Sequence, residues 1–170
     1  MLGRPAANEA AEYYSGYIQQ ATGDDVLSLL HQQAEEFPAL LAGISEEQSL
    51  GRYAPDKWSM RELLNHISDT ERAFVFRAVW FARGFDTPLP GFDQNIAAAG
   101  AGADRFPWAS HIEDFRAVRA ATLTFFRNLS QDAWGKSGIA SGNSFTVRAL
   151  AYITAGHAAH HIRILRERYL

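Results

Sequence analysis

The chain contains no cysteine. That absence excludes disulfides, cysteine nucleophiles and thiolate metal ligands together, so any metal ion has to be held by His, Asp or Glu. It also lacks a strong charge of either sign: 16 Lys and Arg stand against 19 Asp and Glu, a formal net charge of -3. Such a chain presents no field to attract a polyanion, and nucleic acid is not an expected partner. No uninterrupted apolar run approaches the roughly 20 residues of a membrane-spanning helix, so no membrane partner is expected either. Met1 to Asn8 carry no basic stretch followed by an apolar core, which makes a cytoplasmic protein the expectation. With 170 residues, 47% of them hydrophobic and 21% charged, one globular domain with one sizeable core is expected over residues 1–170.

Apolar periodicity points to an all-α chain. Val26, Leu29, Leu30, Phe37, Leu40 and Leu41 recur at the spacing of a helix with one buried stripe, with Asp24 or Asp25 as cap and Gly43 after its end. Ser59 followed three residues on by Glu62 has the spacing of a capping box, and it opens a second helix that runs through Leu63, Phe76 and Phe81 to Gly84. Ile112, Phe115, Val118, Leu123 and Phe126 mark a third helix. Phe145 to Tyr169 marks a fourth, with Asn143 or Ser144 as its cap. Between the second and third helices, Pro88, Pro90, Gly91, Gly100, Gly102 and Pro107 break the chain into a long connection. One short helical turn is expected there over Asp93 to Ala99, and the connection is expected to cross one end of the bundle. No alternation of useful length predicts a strand. Residues 22–170 thus read as a four-helix bundle with a long crossover connection, preceded by a 1–21 extension in which Asn8 to Gln20 forms a short helix.

The histidines carry the chemistry. In Gly156-His157-Ala158-Ala159-His160-His161, the first and last imidazoles are four residues apart. At about 100° per residue they lie roughly 40° from each other and can reach one ion. His160 points elsewhere or borders that site. His66, among Leu63, Leu64 and Ile67, is an imidazole on an apolar face that needs a partner, and a bundle can supply one from the facing helix. His66, His157 and His161 are therefore candidate ligands of one divalent ion, with a coordination position left over. Histidines four apart also arise by chance, and a lone core histidine is commonly just hydrogen-bonded, so the residues by themselves leave a structural role open. Glu62 and Asp69, one turn either side of His66, are candidates to orient its ring or else to cap and pair with bases; Glu71 is rotated farther away. Asp93 is the acidic group placed to approach an open metal position, or else a helix cap. Trp58, Tyr53, Phe92 and Tyr13 are candidate pocket walls, or else plain core. His31 and His111 read as surface positions.

Tyr53-Ala54-Pro55-Asp56-Lys57-Trp58-Ser59, His66 with Asp69 and Glu71, Leu89-Pro90-Gly91-Phe92-Asp93 and Gly156-His157 to His161 occur in an order that resembles the DinB-like superfamily, the DinB/YfiT-like metalloenzymes. The likeness runs from about Tyr13 to the C-terminus. It implies a four-helix bundle whose single second-helix histidine corresponds to His66 and whose final histidine pair corresponds to His157 and His161. It further implies zinc or nickel in the site, a low-molecular-weight thiol such as bacillithiol or mycothiol as co-substrate in some members, and frequent homodimers. The expected function is a metal-dependent hydrolase or thiol-dependent transferase acting on a small-molecule substrate. Asp93 and His160 are the expected proton-handling groups. The alternative is a non-catalytic metal- or ligand-binding module of a stress response.

Overall fold

The computed structural model describes residues 3–170. Its α-helices are α1 (Ser15–Gln20), α2 (Val26–Leu41), α3 (Met60–Ala82), α4 (Gln94–Ala101), α5 (Trp108–Arg127) and α6 (Val147–Arg168). The bundle consists of α2, α3, α5 and α6, as expected. Helix starts follow local chemistry: the Asp25 carboxylate accepts from Leu27 and Ser28 N–H, and Ser59 and Glu62 form the reciprocal capping box of α3.

Contacts fix the topology. Along α3 and α5, Arg61 reaches the Phe106 carbonyl, Arg72 pairs with Asp114, and Arg83 lies over Phe125, so these neighbours run parallel. Phe81 and Trp58, at opposite ends of α3, meet residues flanking the start and end of α6, which makes that pair antiparallel. The 83–107 connection accordingly runs back along the bundle rather than across one end, because α5 has to start beside the start of α3. Asp104, near its end, accepts from Ser59 Oγ and Arg52.

Three local expectations need correction. Ser137–Ala140 and Asn143–Thr146 pair as an antiparallel hairpin, β1 and β2, and Leu89 bridges to Ala140. Strands of four residues are too short to show alternation. Phe145 belongs to β2, and Thr146, whose Oγ1 accepts from Ala149 N–H, caps α6 in place of Asn143 or Ser144. His111 is buried and its Nε2 contacts the Ala103 carbonyl oxygen at 3.0 Å, so it is not a surface residue; His31 is exposed. The returning connection covers His111, which α5 by itself does not reveal.

The expected extension helix is confined to α1, behind turns at Ala7–Glu9 and Glu12–Tyr14. Arg4 donates to the Ala21, Gly23 and Ile18 carbonyls, and the Glu9 carboxylate receives Thr146 and Arg148. These bonds lay α1 along α6.

Two apolar clusters fill the bundle, one around Leu30, Phe74, Phe81, Phe126 and Leu150, the other around Phe37, Leu64, Ile67, Phe115 and Ile162. A polar layer separates them. In it Arg119 makes a two-pronged pair with Glu71 at 2.9 and 2.8 Å and donates to Gln33 Oε1, while Gln33 donates to the Ala155 carbonyl. All four bundle helices contribute to this satisfied network, the condition under which buried charge is tolerated.

Candidate metal centre

His66 on α3 and His157 and His161 on α6 meet beside that polar layer. Their Nε2 atoms stand 3.1 Å apart for 66–157, 3.2 Å for 66–161 and 3.1 Å for 157–161. The antiparallel pairing of α3 with α6 makes this convergence possible, and the four-residue spacing stacks the two α6 rings on consecutive turns.

Hydrogen bonding cannot account for the triangle. Each Nε2 is at any instant either a donor or an acceptor, and among three atoms two always share the same role. At most two of the three contacts can be hydrogen bonds; the third sets lone pair against lone pair or proton against proton. Protonating the rings does not help, since burial pushes His66 down to about 4, and burial followed by the proximity of His66 and His160 pushes His161 down to about 3. His157 is held well below its ordinary value by burial first and then by its histidine neighbours. Three neutral imidazoles with converging lone pairs are a ligand set for a cation. With metal–nitrogen bonds of about 2.0–2.1 Å, tetrahedral ligands stand roughly 3.3 Å apart and octahedral ones roughly 2.9 Å, and the observed spacings fall between.

The surroundings hold the rings. Thr70 Oγ1, one turn beyond His66 on α3, lies 3.3 Å from His66 Nδ1, and the Trp58 ring packs on His66 with centroids 4.8 Å apart. Tyr17 of α1 sits edge-on to both His157 and His160, at 5.3 and 5.4 Å. His161 Nδ1 is buried without a hydrogen-bond partner among the described residues. The carboxylates considered for orienting His66 do other work: Glu62 caps α3 and pairs with Arg52, and Asp69 accepts from Asn65 and Arg72. Glu71 is committed to Arg119. His160 borders the centre, its ring 5.0 Å from that of His161 and its Nδ1 3.2 Å from the Gln20 amide nitrogen. Asp93 caps α4, Oδ1 accepting from Asn95 and Ile96 N–H, and its exposed carboxylate is not brought onto the histidines.

Cavities open on both sides. One of about 160 Å³ lies against His157 and is walled by Tyr14, Tyr17, Thr70, Phe74 and Arg77. Another of about 250 Å³ lies against His161, between Tyr53, Trp58, Asn95 and Tyr169. Tyr13 and Phe92 line the first cavity, so all four aromatic residues considered from the sequence stand at cavity walls. Thr70 was legible in principle, four residues from His66. Gln20, Tyr17 and Ser141, the last also a wall of the first cavity, arrive from remote segments and carry no sequence signal.

The fold and this centre define a four-helix bundle with a trihistidine site, reached from two cavities. The chain belongs to the DinB superfamily, whose family model matches residues 29–165. Several solved structures share the fold. YfiT from Bacillus subtilis, described as a probable metal-dependent hydrolase with an unusual four-helix bundle topology, superposes with a TM-score of 0.67 at 16% identity, covering 96% of this chain and 89% of that one. A mycothiol-dependent maleylpyruvate isomerase superposes with a TM-score of 0.67 at 14% identity, covering 81% of this chain and 58% of that one. No protein of curated function matches the chain. Among the described residues no helix is long and apolar enough to cross a membrane.

Proposed function

We propose that His66, His157 and His161 hold one divalent ion, zinc or nickel, and that the chain is a metal-dependent enzyme of the hydrolase or thiol-dependent transferase type. The observation that carries this reading is the triangle of Nε2 atoms at 3.1–3.2 Å, which no arrangement of protons satisfies. Held by His66, His157 and His161, such an ion would supply the Lewis acidity to ionise water or a substrate thiol near neutral pH.

The chain's own residues supply the rest. Thr70 fixes the orientation of the His66 ring, and Trp58 covers its face against water. His160, half-buried with Nδ1 engaged by Gln20, keeps Nε2 available to carry a proton to or from the His161 side. Asp93, exposed and engaged through Oδ1 as the α4 cap, is given no part in the chemistry. With no cysteine in the chain, any thiol nucleophile comes from a small molecule, in keeping with the mycothiol dependence of one structural neighbour. Cavities on both sides of the centre favour turnover over a closed structural site.

Elemental analysis of freshly purified protein tests the reading. One zinc or nickel per chain is expected, with loss of the ion in His66→Ala and in His161→Ala. Retention of a full equivalent in either variant overturns it. Hydrolysis of activated esters, or transfer of a low-molecular-weight thiol, is then expected to stop on chelation and return with added metal.

A further inference from the structure

Three arginines are buried in the described structure, and they are not provided for alike. Arg119 has the Glu71 carboxylate, Gln33 and a carbonyl. Arg61 has the Glu46 carboxylate, Ser49 and the carbonyls of Glu46, Asp104 and Phe106. Arg77 is only 5% exposed, yet among the described residues it has no carboxylate; its one hydrogen bond goes to Ser141 Oγ at 2.9 Å, and the Phe74 ring lies 6.0 Å away. A guanidinium offers five N–H donors, and a buried cation without a counter-charge is costly. Arg77 faces the cavity that His157 closes at its other end.

The geometry along α3 relates the two ends. Arg77 lies eleven residues after His66, about 1,100° and so just over three full turns, which returns it to the same face roughly 16 Å farther along the axis. The Phe74 ring bridges the gap, its centroid 6.0 Å from the Arg77 guanidinium carbon and 5.8 Å from that of the His157 ring, so the span between the charge and the metal centre is on the order of 10 Å. Thr70 and Phe74 lie between them, with Tyr14 and Tyr17 opposite. The acceptor is supplied at a cost. Ser141 and Gly142 both take positive φ, +52° and +74°, in the two-residue turn of the hairpin. Serine is not favoured there.

We infer that Arg77 is the anchor for an oxyanion, a carboxylate or a phosphate, at the end of the substrate remote from the reacting atom. The substrate class is then a small anionic molecule, its charged end on Arg77, its body against the tyrosine wall and its reactive group at the three histidines. This rests on the reading that those histidines form the metal centre, and the test separates the two. Binding of phenylacetate, inorganic phosphate and neutral phenylacetamide is measured calorimetrically at constant ionic strength on purified wild-type protein and on Arg77→Gln, with metal content determined on the same samples. Saturable binding of phenylacetate or phosphate but not of the amide is expected, weakened at least tenfold in R77Q, with metal content unchanged. Which anion saturates tells a carboxylate site from a phosphate site. The R77Q melting temperature is expected to equal or exceed that of the wild type, because the change removes a buried cation without a counter-charge at the loss of one hydrogen bond to Ser141, whereas a structural arginine would lower it. Anion binding within twofold of wild type in R77Q overturns the inference, as does metal-replete wild-type protein that saturates with neither anion. Should R77Q not fold, equal binding of phenylacetate and phenylacetamide by the wild type overturns it. A wild-type protein that binds the anion but holds no ion refutes the metal centre and leaves the anion site standing.

Discussion

Gly156→Ala separates packing from propensity. In the interior of a helix this change ordinarily stabilises by about 1 kcal/mol. Here a Cβ on residue 156 stands 1.8 Å from the Tyr17 carbonyl oxygen and 2.5 Å from its carbon, so the backbone of α1, not a flexible side-chain tip, has to retreat by more than 1 Å. Overpacking of that kind costs about 1–3 kcal/mol, which cancels or outweighs the propensity gain. The ligands sit on α3 and α6 and stay in place, whereas Tyr17 against His157 and the Gln20 bond to His160 move with α1. Urea denaturation is expected to give a stability between unchanged and about 2 kcal/mol lower. Hydrogen exchange is expected to show residues 15–20 losing protection while metal content stays constant. A variant more stable by the full 1 kcal/mol, with α1 as protected as before, refutes the argument that α1 is seated on Gly156.

Removing the hydroxyl at position 70 tests what orients His66: Thr70→Val is expected to weaken metal affinity by about 10- to 100-fold in competition with a chromophoric chelator, without a comparable loss of stability. In the polar layer, Arg119→Met strands the fully buried Glu71 and is expected to cost about 3–5 kcal/mol by urea denaturation, most of it recovered when Glu71→Met is added. For metal-stripped protein, the folded-state values of about 4 for His66 and about 3 for His161 lie below the ordinary 6.5, so on acidification the unfolded chain takes up protons first. Their stability contribution is complete above about 6.5 and is lost as pH falls toward 4 and 3. Urea midpoints from pH 8 to 5 should therefore fall, less steeply in His66→Ala; a rise on acidification contradicts the burial of these rings. At Glu9, burial works against ionisation but the Arg148 and Thr146 hydrogen bonds prevail and lower its pKa, so Glu9→Gln is expected to reduce stability at neutral pH and flatten only the acid limb below about 4.5.

Much of this molecule was legible because its signals are local. Helical periodicity and the Ser59–Glu62 capping box set α2, α3, α5 and α6, and the spacing of His157 and His161 places both rings on one face. What the sequence did not disclose depends on contacts between distant segments. The β1–β2 hairpin is held partly by Leu89 pairing with residues 139 and 141 from the far side of the long connection. His111 is buried by that connection's return, and Glu71 finds its charge partner 48 residues away on α5. Carboxylates one turn from His66 looked suited to orient it, but Glu62 and Asp69 had nearer bases and a helix end to serve, and an uncharged threonine took the place beside the ring.

The parallel placement of α3 and α5 has a consequence for function. It forces the 83–107 connection to return along α3, and that return carries Phe92 and Gln94 to the mouth of the cavity beside His157. The N-terminal segment supplies Tyr13, Tyr14 and Tyr17 to the same cavity, and the hairpin turn supplies Ser141. The histidines stand instead on α3 and α6, whose positions are fixed by two apolar clusters and the charged layer between them. Ligand geometry is thereby partly separated from pocket lining: the first depends on core packing, the second is shared between α3, which supplies Thr70, Phe74 and Arg77, and connecting segments that tolerate change at small cost to the core. Substitutions at Phe92, Gln94 or Tyr13 are accordingly expected to alter which small molecule is accepted while leaving the ion in place, whereas loss of the Glu71–Arg119 pair disturbs the ion first.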